Sequence, residues 1–137
     1  MQTFLPYPDF KKSAEILDYR RLGKQRVESW QILDTLLSNK KAWSNHPAVL
    51  MWKGSELALC LYSIEICKAW RKRGYKDTML PRFENLIDNL PKTKDPYWLG
   101  DSKFHASHRS NLLRKDPAFY GILNWSEPNN LEYVWPK

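Results

Sequence analysis

The chain has 137 residues, 42% of them hydrophobic and 14% aromatic, enough to bury a core and too apolar for a disordered chain. Lysine and arginine outnumber aspartate and glutamate by 22 to 15, for a formal charge of +7 and a pI near 9.4, a balance that favours nucleic acid or another polyanion as partner. No stretch approaches the roughly 18 unbroken apolar residues of a membrane span, and "MQTFLPYPDFKK" lacks the basic-then-apolar order of a secretory signal, so the expectation is a cytoplasmic, nucleoid-associated monomer with no membrane partner.

Helical periodicity dominates the chain. After a proline-punctuated start, Phe10, Ala14 and Leu17 fall on one stripe, and Val27, Trp30, Leu33 or Asp34, and Leu37 continue a second beyond Gly23. The spacing predicts a first helix over residues 11–38, bent at Gly23, with Val27, Trp30 and Leu37 pointing inward. In "SNHPAVLMW", Pro47 suits a first helical turn and Ser44 or Asn45 is placed to cap it. A central helix then runs on to "WRKRGY", with Leu57, Leu61 and Ile64 on one stripe and Leu59, Tyr62, Ile66 and Trp70 on the other, closed by a basic turn and Gly74. Cys60 and Cys67 lie about 10 Å apart along that helix, too far to bridge, and read as small buried hydrophobes. "RFENLIDNL" is a short helix, "PKTKDPYWLGD" a loop and "SKFHASHRSNLLRK" a further helix. The tail "NWSEPNNLEYVWPK" is irregular, with its aromatics lying across the helices. The expected fold is all-α: a single compact domain, residues 1–137, of three main helices plus short ones and an aromatic-rich C-terminal tail.

Chemistry concentrates in two places. In "DYRRLGKQRVE", Arg20, Arg21, Lys24 and Arg26 crowd around Asp18 and Glu28, and on a helix Arg21, Lys24 or Gln25, and Glu28 share one face. A solvated helix face with a Lys24–Glu28 pair is one reading. The other is a phosphate-binding surface with an acid among the bases, since His105, His108, Arg109, Arg114 and Lys115 form a second basic cluster that can converge on the same polyanion. His105 and His108, at i and i+3, lack an adjacent third metal ligand, so no metal or cofactor is expected. Contact with a phosphate or flipped nucleotide, and the filling of a polar pocket, both remain open for them.

The N-terminal segment through "LDYRRLGKQRV" and the helix carrying "HAS", "LLRK" and "DPAFY" resemble the pyrimidine-dimer DNA glycosylase family of the phage endonuclease V type. The similarity is greater to a bacterial and phage branch with "RLGKQRVE", "NHP" before "MW", and "HASHRSNLLRKDP". The resemblance implies a compact all-α DNA-repair enzyme that extrudes a nucleotide opposite the dimer. It also implies base excision by an N-terminal α-amine, assisted by a glutamate on the first helix. An α-amine, with a reference pKa of about 7.7 to 8.0, suits that role better than a lysine at about 10.4. Setting the family's Tyr-Arg-acid-Leu motif on "YRRL" puts Tyr19, Arg20 and Leu22 in register, Lys24 on a DNA-contacting arginine and Arg21 on the acid. Glu28 is the substitute acid and Asp18 the second choice. Gln2 is too large a neighbour for efficient removal of the initiator methionine, so the candidate amine is that of Met1.

The expected catalytic residues are therefore Glu28, Met1 and, as replacement amine, Lys24. Arg20, Arg21, Lys24, Arg26, His105, His108, Arg109, Arg114 and Lys115 are the expected DNA contacts. The expected activity is a DNA glycosylase, extended by an AP-lyase step. Two alternatives stand beside it: a non-catalytic DNA-binding module on the same fold, and a hydrolase or transferase acting on a nucleotide with Glu28 and the two histidines.

Overall fold

The computed structural model describes residues 1–38 and 44–136; Lys137, the last residue of the tail, lies outside them. The described residues form seven α-helices: α1 (Phe10–Ile16), α2 (Tyr19–Ser38), α3 (Pro47–Leu50), α4 (Glu56–Lys72), α5 (Leu80–Ile87), α6 (Ser102–Lys115) and α7 (Pro117–Tyr120). A 3₁₀ turn over Gly121–Leu123 follows α7, and no strand occurs among the described residues. The fold is all-α, with α2, α4 and α6 its three long elements. No helix among these residues is long and apolar enough to cross a membrane.

The first break in helical structure falls at Leu17 and Asp18 rather than at Gly23. Leu17 turns extended, with ψ 141°, while its side chain is fully buried, and Asp18 restarts the helix by accepting the Arg21 amide at 3.4 Å. Gly23 lies within α2 for a packing reason. A Cβ there would sit 3.0 Å from the Trp70 ring, so the missing side chain lets α2 approach the aromatic end of α4.

The expected central helix is also divided. His46, not Ser44 or Asn45, caps α3 by accepting the Ala48 amide at 3.0 Å on Nδ1, and the helix stops after one turn. Gly54 then reverses the chain with φ +83°, a conformation that costs glycine little. This turn drops Trp52 into the core, where its Nε1–H donates to Thr3 Oγ1 at 3.0 Å. Helix α4 follows and packs against α1, α2 and α5. Its stripe of Leu59, Tyr62 and Ile66 is fully buried, each worth about 1.5–3 kcal/mol of burial for a large apolar side chain. Leu61, from the other stripe, is exposed. Both cysteines are buried free thiols, pushed up by desolvation, Cys60 to about 11 and Cys67 to about 12.

The inward face of α2 differs from the expected one. Val27 and Leu37 are exposed, Trp30 and Leu33 do turn inward as expected, and the fully buried stripe is Leu22, Gln25, Ser29, Ile32 and Leu33. Two polar residues sit on that face because their hydrogen bonds are met inside. Ser29 Oγ donates to the Gln25 carbonyl at 2.6 Å, and Gln25 engages the start of the chain.

The tail lies along α6. Ser110 Oγ donates to the Pro128 carbonyl at 2.5 Å and accepts from the Leu131 amide at 2.9 Å. Ser107 Oγ accepts from the Val134 amide at 3.2 Å. Tyr120 and Trp125 stack 5.6 Å apart, and Trp125 Nε1–H donates to Tyr7 Oη. The tail aromatics thus cover α6 and the first residues of the chain.

Candidate functional site

Residues 2–6 are buried outside any helix, so their peptide groups need partners that no backbone ladder supplies. Side chains supply them. Gln25 Oε1 accepts the Phe4 amide at 3.1 Å, and Gln25 Nε2 donates to the Gln2 carbonyl at 2.7 Å. The Tyr62 hydroxyl lies 2.8 Å from the Phe4 carbonyl and 2.7 Å from Gln25 Oε1. From α6, His108 Nδ1 accepts the Leu5 amide at 2.9 Å and His105 Nδ1 faces the Leu5 carbonyl at 2.7 Å. Arg109 donates to the Pro6 carbonyl at 2.7 Å. The chain start is thereby held between α2 and α4 on one side and α6 on the other.

These bonds assign the imidazoles. His105 Nε2 accepts the Gly100 amide at 2.9 Å, so its proton is on Nδ1 and points at Leu5 O. His108 accepts on Nδ1 and carries its proton on Nε2, the opposite tautomer. Both rings are neutral. Burial pushes His105 below its ordinary value, and burial with the neighbouring His105 takes His108 down to about 3.

The clamped segment delivers Met1 to an open pocket of about 420 Å³. Met1, Gln2, Phe4 and Glu28 line one part of it, Arg20, Arg21, Lys24 and Lys115 supply positive charge, and Tyr133 and Trp135 bring aromatic surface from the tail. Arg21, Lys24 and Glu28 reach it together because residues three and seven apart share a helix face. Glu28 Oε2 accepts the Gln2 amide and the Gln25 side-chain amide, each at 3.3 Å. Covalent geometry then keeps the Met1 nitrogen within roughly 7 Å of that oxygen. A larger apolar cavity of about 760 Å³, lined by Pro47, Tyr97 and Trp98, shares Trp135 with this pocket. It does not include the amine or Glu28.

Other expected contacts are engaged elsewhere. His105 and His108 are 2% and 1% exposed and hold Leu5, so neither offers a ring to phosphate. The nucleotide-hydrolase reading loses its imidazoles with them. Arg109 forms a bidentate pair with Glu127, both contacts at 2.9 Å, and holds that carboxyl below its ordinary value. Arg26 pairs with Asp77 at 2.6 Å and lies over the Trp70 ring at 4.7 Å. Arg114 is exposed and donates to Asn111 and the Asn129 carbonyl. Arg20, Lys24 and Lys115 remain exposed at the pocket. Arg21 stands beside them, its guanidinium 3.2 Å from Asp18. Asp18 itself is turned inward: burial opposes its ionisation, but the Tyr120 hydroxyl at 2.5 Å and Arg21 hold its carboxyl below the ordinary range.

Two residues enter that the sequence reading did not single out as site residues. Gln25 stood only as an alternate on the basic face, and His46 only as a letter within "SNHPAVLMW". His46 packs edge-on to Trp135 with centroids 6.3 Å apart. Burial and then the charge of the chain's amino terminus lower its pKa. The adjacent Pro47 was the visible helix-start signal.

The family described as "Pyrimidine dimer DNA glycosylase" has a model that matches residues 1–82 of the 137. That span contains Met1, Gln2, Arg20, Arg21, Lys24, Gln25, Glu28 and His46, while Lys115, Tyr133 and Trp135 lie beyond it. No curated protein and no solved structure matches the chain.

Proposed function

The chain belongs to the pyrimidine dimer DNA glycosylase family, and we propose that it excises the damaged pyrimidine with the Met1 α-amine as nucleophile and Glu28 as the assisting carboxylate, then cuts the strand as an AP lyase. DNA is the substrate at the family level. In this reading the amine lone pair attacks C1′, the bond from C1′ to the base breaks, and the base leaves with the bonding pair and takes up a proton. Loss of the amine proton and opening of the sugar ring leave an imine between Met1 and C1′. Removal of a C2′ proton then expels the 3′ phosphate by β-elimination.

Glu28 stabilises the positive charge that develops at C1′ and carries protons between these steps. Arg20, Arg21, Lys24 and Lys115 hold the flanking phosphates, and Lys24 serves phosphate rather than C1′. Arg21 stands where the resembling motif has its acid, and Glu28 meets the same pocket two helical turns on. Extruding a nucleotide from the duplex costs a few kcal/mol, least where pairing is already impaired.

The observation that carries this reading is the pocket in which the chain start, Glu28 and the unburied cations meet. Borohydride trapping on ultraviolet-irradiated and on abasic duplexes tests it. The expected result is a covalent protein–DNA adduct, located at Met1 by mass spectrometry of its peptides and lost when the α-amine is acetylated. Salt-sensitive binding without adduct or strand cleavage would overturn the amine mechanism and favour a non-catalytic DNA-binding module.

A further inference from the structure

Gln25 is 1% exposed, while Lys24 beside it on the helix is exposed. Burying a primary amide without partners leaves its polar groups unsatisfied at a large cost in stability, and here both ends are occupied. Its oxygen receives the Phe4 amide and lies within reach of the Tyr62 hydroxyl, while its nitrogen donates to the Gln2 carbonyl and to Glu28 Oε2. The amide has one orientation, since rotating it by 180° would set N–H against N–H at Phe4 and oxygen against oxygen at Gln2. A carboxylate at this position would lose both donors, and an alkyl chain would lose all four contacts.

The backbone of Gln2 is gripped on both sides of its Cα by this arrangement. Its carbonyl is held by Gln25, and its N–H by the carboxylate that Gln25 also holds. One side chain therefore sets the chain start and Glu28 relative to each other. We infer that Gln25 is a positioning residue of the reaction, fixing the distance and angle between the Met1 amine and the Glu28 carboxylate without touching DNA. This inference rests on the reading of Met1 and Glu28 given above. A carboxylate near C1′ and an amine that attacks it must share a geometry good to fractions of an ångström, and an unstructured chain end would not provide it.

The test uses Gln25→Glu and Tyr62→Phe in the full chain, with single-turnover adduct formation and duplex affinity measured separately. Gln25→Glu retains the acceptors for Phe4 and Tyr62 but removes the donors to Gln2 and Glu28. The expected result at pH 8 is an adduct rate at least thirtyfold below wild type, with the Kd for abasic duplex within threefold. Protonation of the introduced carboxyl restores a donor, so the variant-to-wild-type rate ratio rises as pH falls from 8 to 6. A general loss of structure would leave that ratio flat, and a flat ratio, or a rate loss matched by the affinity loss, overturns the inference.

Tyr62→Phe removes only the hydroxyl seated beside Gln25 Oε1 and keeps the test alive if the first variant does not fold. Its rate should fall at least threefold at unchanged affinity, and an unchanged rate counts against Gln25. Should wild type form no adduct, the amine mechanism fails, and the positioning is read from NMR of ¹³C-methylated Met1. Wild type should show a resonance displaced from its unfolded position and Gln25→Glu one that has moved towards it; coincident spectra overturn the inference.

Discussion

Acidification should release the clamp on the chain start through His108, and the size of the effect follows from its burial. In the folded protein this imidazole titrates at about 3, against roughly 6.5 for a free histidine. Between those values the unfolded chain binds a proton that the folded chain does not. Stability is therefore complete above pH 6.5 and is lost as pH falls, by about 1.4 kcal/mol per pH unit for one proton. From pH 6.5 to 5 the loss is about 2 kcal/mol, a large part of the roughly 5–15 kcal/mol that holds a typical domain folded. His105 is shifted in the same direction and adds to it. The window is clean because free carboxyls, at about 3.9 to 4.3, are still ionised at pH 5. The structural cause is specific: a protonated Nδ1 would point its hydrogen at the Leu5 N–H that it now accepts at 2.9 Å. Urea unfolding followed by tryptophan fluorescence between pH 7.5 and 5, on wild type and His108→Asn, measures it. The amide oxygen of asparagine offers an acceptor that does not titrate, so the variant's loss between pH 6.5 and 5 should be smaller by about 2 kcal/mol, whatever its stability at pH 7.5. Equal pH slopes in the two proteins would refute the argument.

Glu28→Gln should lower the rate of adduct formation on abasic duplex by about 10² to 10³, within the range for a positioned acid–base group, while leaving duplex affinity within a few-fold. Single-turnover trapping beside a binding titration separates the two, and a variant that traps at the wild-type rate removes Glu28 from the mechanism. Lys115→Ala should reduce the slope of log K against log salt for duplex binding by about 0.9, the contribution of one phosphate contact. Arg109→Ala should leave that slope unchanged and instead lower the urea midpoint, because Arg109 is spent on Glu127 and Pro6. A lower salt slope for Arg109→Ala would return it to the DNA-contacting set.

The all-α class, the three long helices, the basic face of α2 and the meeting of Arg21, Lys24 and Glu28 on that face were legible in residue spacing, because helical periodicity is a local property. The limits of α6 were legible for the same reason. Asp101 accepts the Lys103 amide at its start, and Asp116 before Pro117 closes it. What spacing could not convey is which polar residues are taken up by partners inside the protein. Gln25, His105, His108, Arg26 and Arg109 look like surface chemistry in a string of letters. Each is instead committed to a partner far along the chain: Gln2 and Phe4, Leu5, Asp77, Glu127. For all but Arg26 the reason is that residues 2–6 enter the core without a helix or strand of their own, and their peptide groups draw in whichever polar side chains the tertiary packing brings near; Arg26 is drawn instead to Asp77. The same packing displaced the inward stripe of α2 from Val27 and Leu37 to Leu22, Gln25 and Ile32, let Trp70 settle on Gly23, and set His46 against Trp135. Local pattern decided that the chain is helical and which face of α2 is charged. Only the fold decided which charges remain free to meet a phosphate and where the first residue of the chain comes to lie.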